Sequence, residues 1–194
     1  MKTSLLIILF LLLMVPSYAS DEIFIKAHSA FISIGDKEEN TIKAIEILSE
    51  GLLKDPLEIN LLRFRAQLYT SIGEFNKAYQ DVKIITHLRP EASIYKFWEC
   101  TFMEKLNGPT IATIDCYKIT SELAAAELGD KKETDFGYIY TLLLAKNPQG
   151  QVLADSFLKT LTNSTIDQFY RELLENFDRK NSLPKSSKIE TSKR

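Results

Sequence analysis

Three evenly spaced alanines constrain the fold of this chain more than any other feature of its sequence. They are Ala44, Ala78 and Ala112. Leu48, Val82 and Cys116 follow them one helical turn later, and Pro56 and Pro90 are separated by the same interval as the alanines. A fixed period of about 34 residues is typical of helix–turn–helix units. A small side chain lets two antiparallel helices approach closely, and the proline ends the second helix.

The middle period, residues 59–92, resembles a tetratricopeptide repeat. Its matching residues are Leu62, Ala66, Tyr69, Gly73, Phe75, Ala78, Val82, Ile85, Leu88 and Pro90. Arg65 departs from the family pattern, which usually has a large apolar residue there. The flanking periods, about 25–58 and 93–126, match less fully, and the third lacks the closing proline. The resemblance implies an all-α, TPR-like helix–turn–helix repeat array, a right-handed superhelix of three repeats over residues 20–129.

Hydrophobic periodicity predicts helices along the whole body of the chain and no strand. The predicted ranges are 21–34, 41–53, 58–72, 76–88, 93–106, 110–123 with an extension to Gly129, 132–145, 151–161 and 166–177. Asn40 or Thr41 is the expected cap of the second helix. We interpret residues 130–178 as C-terminal capping helices that cover the last apolar face. Residues 132–161 could instead be a degraded fourth repeat.

The segment 1–19 predicts a secretory signal peptide. Lys2 is followed by an apolar run over residues 5–15, and small residues stand at Ser17 and Ala19. Crossing a bilayer needs about 20 apolar residues, so no stable membrane anchor is expected. We therefore expect a periplasmic or secreted protein, cleaved near Ala19.

The segment 179–194 predicts a basic disordered tail, because lysine and arginine far outnumber its single carboxylate, Glu190. Without this tail and Lys2 the formal charge is about −8 over residues 20–178. An acidic body disfavours nucleic acid, whose binding depends on neutralising phosphates. It suits a cationic partner, although a net negative surface also simply maintains solubility.

The two cysteines, Cys100 and Cys116, occupy positions that pack against each other across the helix pair in repeats of this family. The export signal places the chain where disulfides persist. We favour a Cys100–Cys116 disulfide, and the alternative is two buried free thiols.

Recognisable catalytic chemistry is missing from the sequence. The chain has two histidines, neither with partners at metal-ligand spacing, and no phosphate loop, nucleophile elbow or zinc-binding helix. We therefore expect a non-catalytic protein without a cofactor.

The resemblance implies a binding surface on the first helix of each repeat, where family members line a concave groove. Carried onto this chain, the partner-binding positions are Asn60, Arg63, Phe64 and Gln67, then Ile94, Phe97, Trp98 and Thr101, with Glu104 last in the same register. Aromatic residues and arginine are enriched at binding hot spots. Phe97 or Trp98 could instead belong to the core.

The predicted function is an exported protein–protein interaction module that binds a partner protein or peptide in this groove. One specific version is an immunity protein that neutralises an envelope-targeted toxin. The alternatives are an assembly adaptor of an envelope or secretion complex, and a small-ligand binder or enzyme that uses the C-terminal helices. Partner identity and oligomeric state stay open.

The signal segment gives a direct test. The intact mass of protein from the native compartment should correspond to a chain that starts at Ser20 or at a position next to it. A full-length chain in the membrane fraction would contradict the prediction.

Overall fold

The computed structural model describes residues 17–162, 164–175 and 177–179, with side chains from Ser20 onward. The helices are α1 (Ser17–Phe31), α2 (Lys37–Lys54), α3 (Ile59–Ser71), α4 (Phe75–Leu88), α5 (Ser93–Asn107), α6 (Ile111–Leu128), α7 (Phe136–Leu144), α8 (Pro148–Leu158) and α9 (Thr165–Glu175). A 3-10 helix, Gly129–Thr134, follows α6. These residues contain no strand, which confirms the all-α class.

The start of α2 differs from the prediction. The cap is Asp36, in extended backbone, and not Asn40 or Thr41. One of its carboxylate oxygens accepts hydrogen bonds from the amides of Glu38 and Glu39, both at 2.9 Å. The side chain of Asp36 thus satisfies two amides that a helix start leaves open, and the helix begins one turn earlier than its apolar pattern.

The region after α6 also differs from the prediction of one helix over 132–145. The predicted extension of α6 to Gly129 is confirmed, and Gly129 has φ of +55°, a conformation at which a right-handed helix ends. The 3-10 helix comes next, and Asp135 then caps α7 by accepting a hydrogen bond from the amide of Tyr138 at 2.8 Å. A helix cap thus lies within a stretch whose apolar period predicted one continuous helix.

The described residues form two compact units, 17–85 and 86–179, and α4 crosses the boundary. The core of the first unit contains the small and branched residues of the period, Ala44, Leu48, Ala78, Val82 and Ile85, all fully buried. Gly51 marks a close approach of α2 to its neighbours, because a Cβ there would lie 2.8 Å from the side chain of Ile23 on α1 and 3.0 Å from that of Leu61 on α3.

The third period does not keep the register of the first two. Ala112 and Ile119, the expected counterparts of Ala78 and Ile85, are exposed. The buried face of α6 consists of Thr113, Cys116, Tyr117, Thr120, Ser121 and Ala124. Compared with the buried face of α4 one period earlier, the buried face of α6 is shifted by one residue along the sequence. The helix α6 is therefore rotated about its own axis. Its small inward residues include two threonines whose hydroxyls bond to the preceding turns.

The core of the second unit is built around α7, in which every residue from Tyr138 to Leu144 is buried. α7 contacts both α6 and α8. A helix that is apolar all round is typically buried on every side, as α7 is.

Two predicted segments fall largely outside the described residues. They are the signal segment up to residue 16 and the basic tail from residue 180. Residues 17–19 begin α1, and Arg179 is described as part of the second unit.

Ala78 tests the helix packing of the first unit. Ala78→Leu should overpack the fully buried site and lower the free energy of unfolding by about 1–3 kcal/mol. Gln80→Leu, at an exposed position of the same helix, should change it by less than about 0.5 kcal/mol. Equal denaturation midpoints for the two variants would contradict this packing.

Candidate functional site

The predicted disulfide is present. Cys100 of α5 and Cys116 of α6 are bonded, with their Cα atoms 5.6 Å apart. Both residues are buried, so the bond lies within the core of the second unit. The alternative of two free thiols is wrong, and the bond fixes the register of α5 against the rotated α6.

Of the predicted binding residues on α3, three face outward and one does not. Asn60 and Gln67 are exposed, and the half-buried Arg63 donates a hydrogen bond to the side-chain oxygen of Asn60 at 3.4 Å. Phe64 is buried, and its ring centre lies 5.2 Å from that of Phe24 on α1.

The ring of Phe64 also contacts two further α1 rings, with centre-to-centre distances of 6.0 Å to His28 and 6.1 Å to Phe31. Phe64 therefore packs α1 onto α3 and is a core residue of the first unit. The prediction of an open groove position is wrong for Phe64 because the rings of α1 cover it.

The predicted residues on α5 separate into an outward pair and an inward set. Ile94 is 54% exposed, and the half-buried Trp98 lies one turn further along the same helix face. The ring of Trp98 meets that of Tyr95 edge-on at 6.3 Å. Ile94 and Trp98 thus form an apolar, partly open patch.

Phe97 and Thr101 point differently from Ile94. The ring of Phe97 packs against the core and lies 6.0 Å from that of Tyr117. The hydroxyl of Thr101 donates to the carbonyl of Phe97 at 2.8 Å. Of the two aromatic residues whose role the sequence left open, Phe97 is the one that belongs to the core.

Glu104, predicted at the end of the same binding register, is buried instead. It lies close to Tyr117, whose ring is fully enclosed. Burial raises the pKa of Tyr117 far above its ordinary value, so this phenol stays neutral at any physiological pH.

The first unit contains a polar cluster around Arg65 that the sequence pattern did not predict. The guanidinium of Arg65 donates to both carboxylate oxygens of Asp81, at 2.7 and 2.9 Å, and to the hydroxyl of Ser49 at 3.0 Å. The Cζ atom of Arg65 lies 5.8 Å from the ring centre of Tyr69. The hydrogen bonds to Asp81 raise the pKa of Arg65. Arg65 thereby joins α2, α3 and α4.

A signal for this cluster was present in the sequence. Arg65 stands where the family usually has a large apolar residue, and Asp81 occupies a position on the inward face of α4. One charged residue on each of two facing apolar helix surfaces indicates an ion pair, because neither charge could be buried alone.

The described residues offer no group of three or more histidine, cysteine, aspartate or glutamate side chains that could hold a metal ion. Between residues 17 and 179, no described helix has the length and apolar character that crossing a membrane requires.

No protein-family model, curated protein or solved structure matches this chain. The surfaces described above are therefore the basis for assigning a function.

The Arg65–Asp81 pair makes a sharp test of the first unit. Arg65→Leu should lower the free energy of unfolding by about 3–5 kcal/mol, because it leaves the 2%-exposed Asp81 carboxylate unpaired. Arg65→Leu/Asp81→Leu should recover most of that loss, since an apolar pair needs no counter-charge. Additive losses in urea denaturation of the two single variants and the double variant would show that the pair is not coupled.

Proposed function

We propose that this chain is an exported, non-catalytic interaction module of the tetratricopeptide-repeat type. The helix pairs α1–α2, α3–α4 and α5–α6 follow the period of the sequence, and Ala44 and Ala78 are buried. The partner is a protein or peptide that contacts the first helices of the repeats. Periplasmic or secreted localisation after signal cleavage near Ala19 is part of the same proposal.

The observation that carries the proposal is the outward face of α5. A 54%-exposed isoleucine and the half-open tryptophan, Ile94 and Trp98, are one helical turn apart, while Phe97 and Cys100 anchor the opposite face. Large apolar side chains next to a rigid core are the composition of a binding hot spot. A separate polar surface on α3 consists of Asn60, Arg63 and Gln67. It can form hydrogen bonds to the backbone and to the carboxylates of a partner.

A more specific form of the proposal is an immunity protein for an envelope-targeted toxin. The body of about −8 formal charge suits a cationic partner, because opposite charge accelerates association and favours correct orientation. Such a role needs binding alone and no catalytic residue.

The test begins with capture of the partner from the native envelope by the mature chain, followed by titration of the purified pair. Ile94→Asp should weaken binding by about 30-fold or more, corresponding to roughly 2 kcal/mol, because it places a charge in an apolar contact. Arg63→Ala should weaken binding in the same direction if the α3 surface takes part.

The matched control is Ile111→Asp, since Ile111 is 80% exposed at the start of α6 and carries the same chemical change. It should leave affinity within a few-fold, as should deletion of residues 180–194. Unchanged binding in Ile94→Asp together with loss of binding on tail deletion would move recognition to the basic tail.

A further inference from the structure

The second unit contains a buried carboxylate with an unusual partner. Glu104 is 3% exposed, and both its oxygens accept hydrogen bonds from Arg179, at 2.6 Å from Nε and 3.0 Å from the second terminal nitrogen. Arg179 is distant in sequence and lies beyond the last helix. Sequence composition had placed this residue in a disordered tail, so the contact was not expected.

A further donor nitrogen of the Arg179 guanidinium and the group as a whole also have contacts. Its other terminal nitrogen donates to the backbone carbonyl of Leu144, at the end of α7. Its Cζ atom lies 5.7 Å from the ring centre of Tyr117 on α6. A bidentate carboxylate, a carbonyl acceptor and an aromatic face together match the planar, five-donor shape of a guanidinium group.

The groups that surround this guanidinium lie next to the disulfide in the sequence. Cys100 lies one turn before Glu104 on α5, and Cys116 is adjacent to Tyr117 on α6. The disulfide between these cysteines therefore holds the carboxylate and the ring in register. The hydroxyl of Tyr117 is also buried, next to Thr101 and Glu104.

The occupant, by contrast, comes from a segment outside the helices. Arg179 stands shortly after the end of α9, and within that connection Phe177 meets the ring of Tyr140 edge-on at 5.8 Å. The site is thus built by three helices, whereas the group that fills it comes from a short terminal segment.

We infer that Glu104, the ring of Tyr117 and the carbonyl of Leu144 form a guanidinium-binding site that Arg179 occupies in cis. Its ligand class is a guanidinium group, either free or at the end of an arginine side chain. An ammonium group is a poor substitute, because it is a compact, strongly hydrated point charge without the planar fork. The site is independent of the binding surface proposed on the outward face of α5.

The experiment is chemical rescue of the full mature chain carrying Arg179→Ala. This variant should melt roughly 6–20 °C below the wild type, because it leaves a buried carboxylate without its counter-charge. Millimolar guanidinium chloride or N-acetyl-arginine amide should raise the melting temperature in a saturable way. Denaturation by guanidinium is linear in concentration and needs molar amounts, so the two effects are separable.

Three comparisons decide the outcome. Ammonium chloride and N-acetyl-lysine amide should not rescue Arg179→Ala. Guanidinium should not stabilise Glu104→Gln/Arg179→Ala, which has lost the carboxylate. Arg171→Ala, which removes an arginine from an exposed ion pair with Glu175, should melt close to the wild type and show no rescue.

If Arg179→Ala does not fold, the same titration is monitored by recovery of the helical circular dichroism signal. Arg179→Lys is then the second variant. Rescue that depends on Glu104 and on the guanidinium group supports the site. No rescue, equal rescue by ammonium, or rescue that persists without the carboxylate would overturn it.

Discussion

A buried carboxylate held bidentately by an arginine is the constraint around which each described unit is arranged. In the first unit Asp81 is held by Arg65, and in the second Glu104 is held by Arg179. Removing a charge from water costs several kcal/mol, so each carboxylate can be buried only with its arginine in place. Arg65 therefore fixes α3 between α2 and α4, and Arg179 brings the end of the described chain onto α5, α6 and α7.

The two pairs have different relations to the repeat period. Arg65 and Asp81 lie inside the middle period, residues 59–92, where the pair joins α3 to α4. In the third period the register does change, because α6 turns a face of threonine, cysteine and tyrosine toward the core. The Cys100–Cys116 disulfide joins this face to α5, and α7 packs against α6.

Sequence periodicity predicted the helices well, because nearly all of them are amphipathic and the 3.6-residue pattern reports that directly. It failed at Asp36 and Asp135, where a cap starts a helix at a point the apolar pattern does not mark. The family register located the disulfide correctly, yet it placed Phe64 and Glu104 on an open surface when both are buried. A register transferred from other proteins indicates where the helices lie in the sequence. The burial of each residue depends on the side chains of the neighbouring helix. The contact between Glu104 and Arg179 joins distant parts of the chain and had no local signal at all.

The opposite faces of α5 are connected by their energetics. Its inward face is held at Phe97 by the core, at Cys100 by a covalent bond and at Glu104 by an ion pair. These attachments fix the backbone over most of the helix, so Ile94 and Trp98 are presented from a rigid support. When a partner binds this patch, this protein would lose only side-chain freedom, because none of its helices has to become ordered on binding. The stability of the buried face and the affinity of the exposed one are thus expected to depend on the same helix.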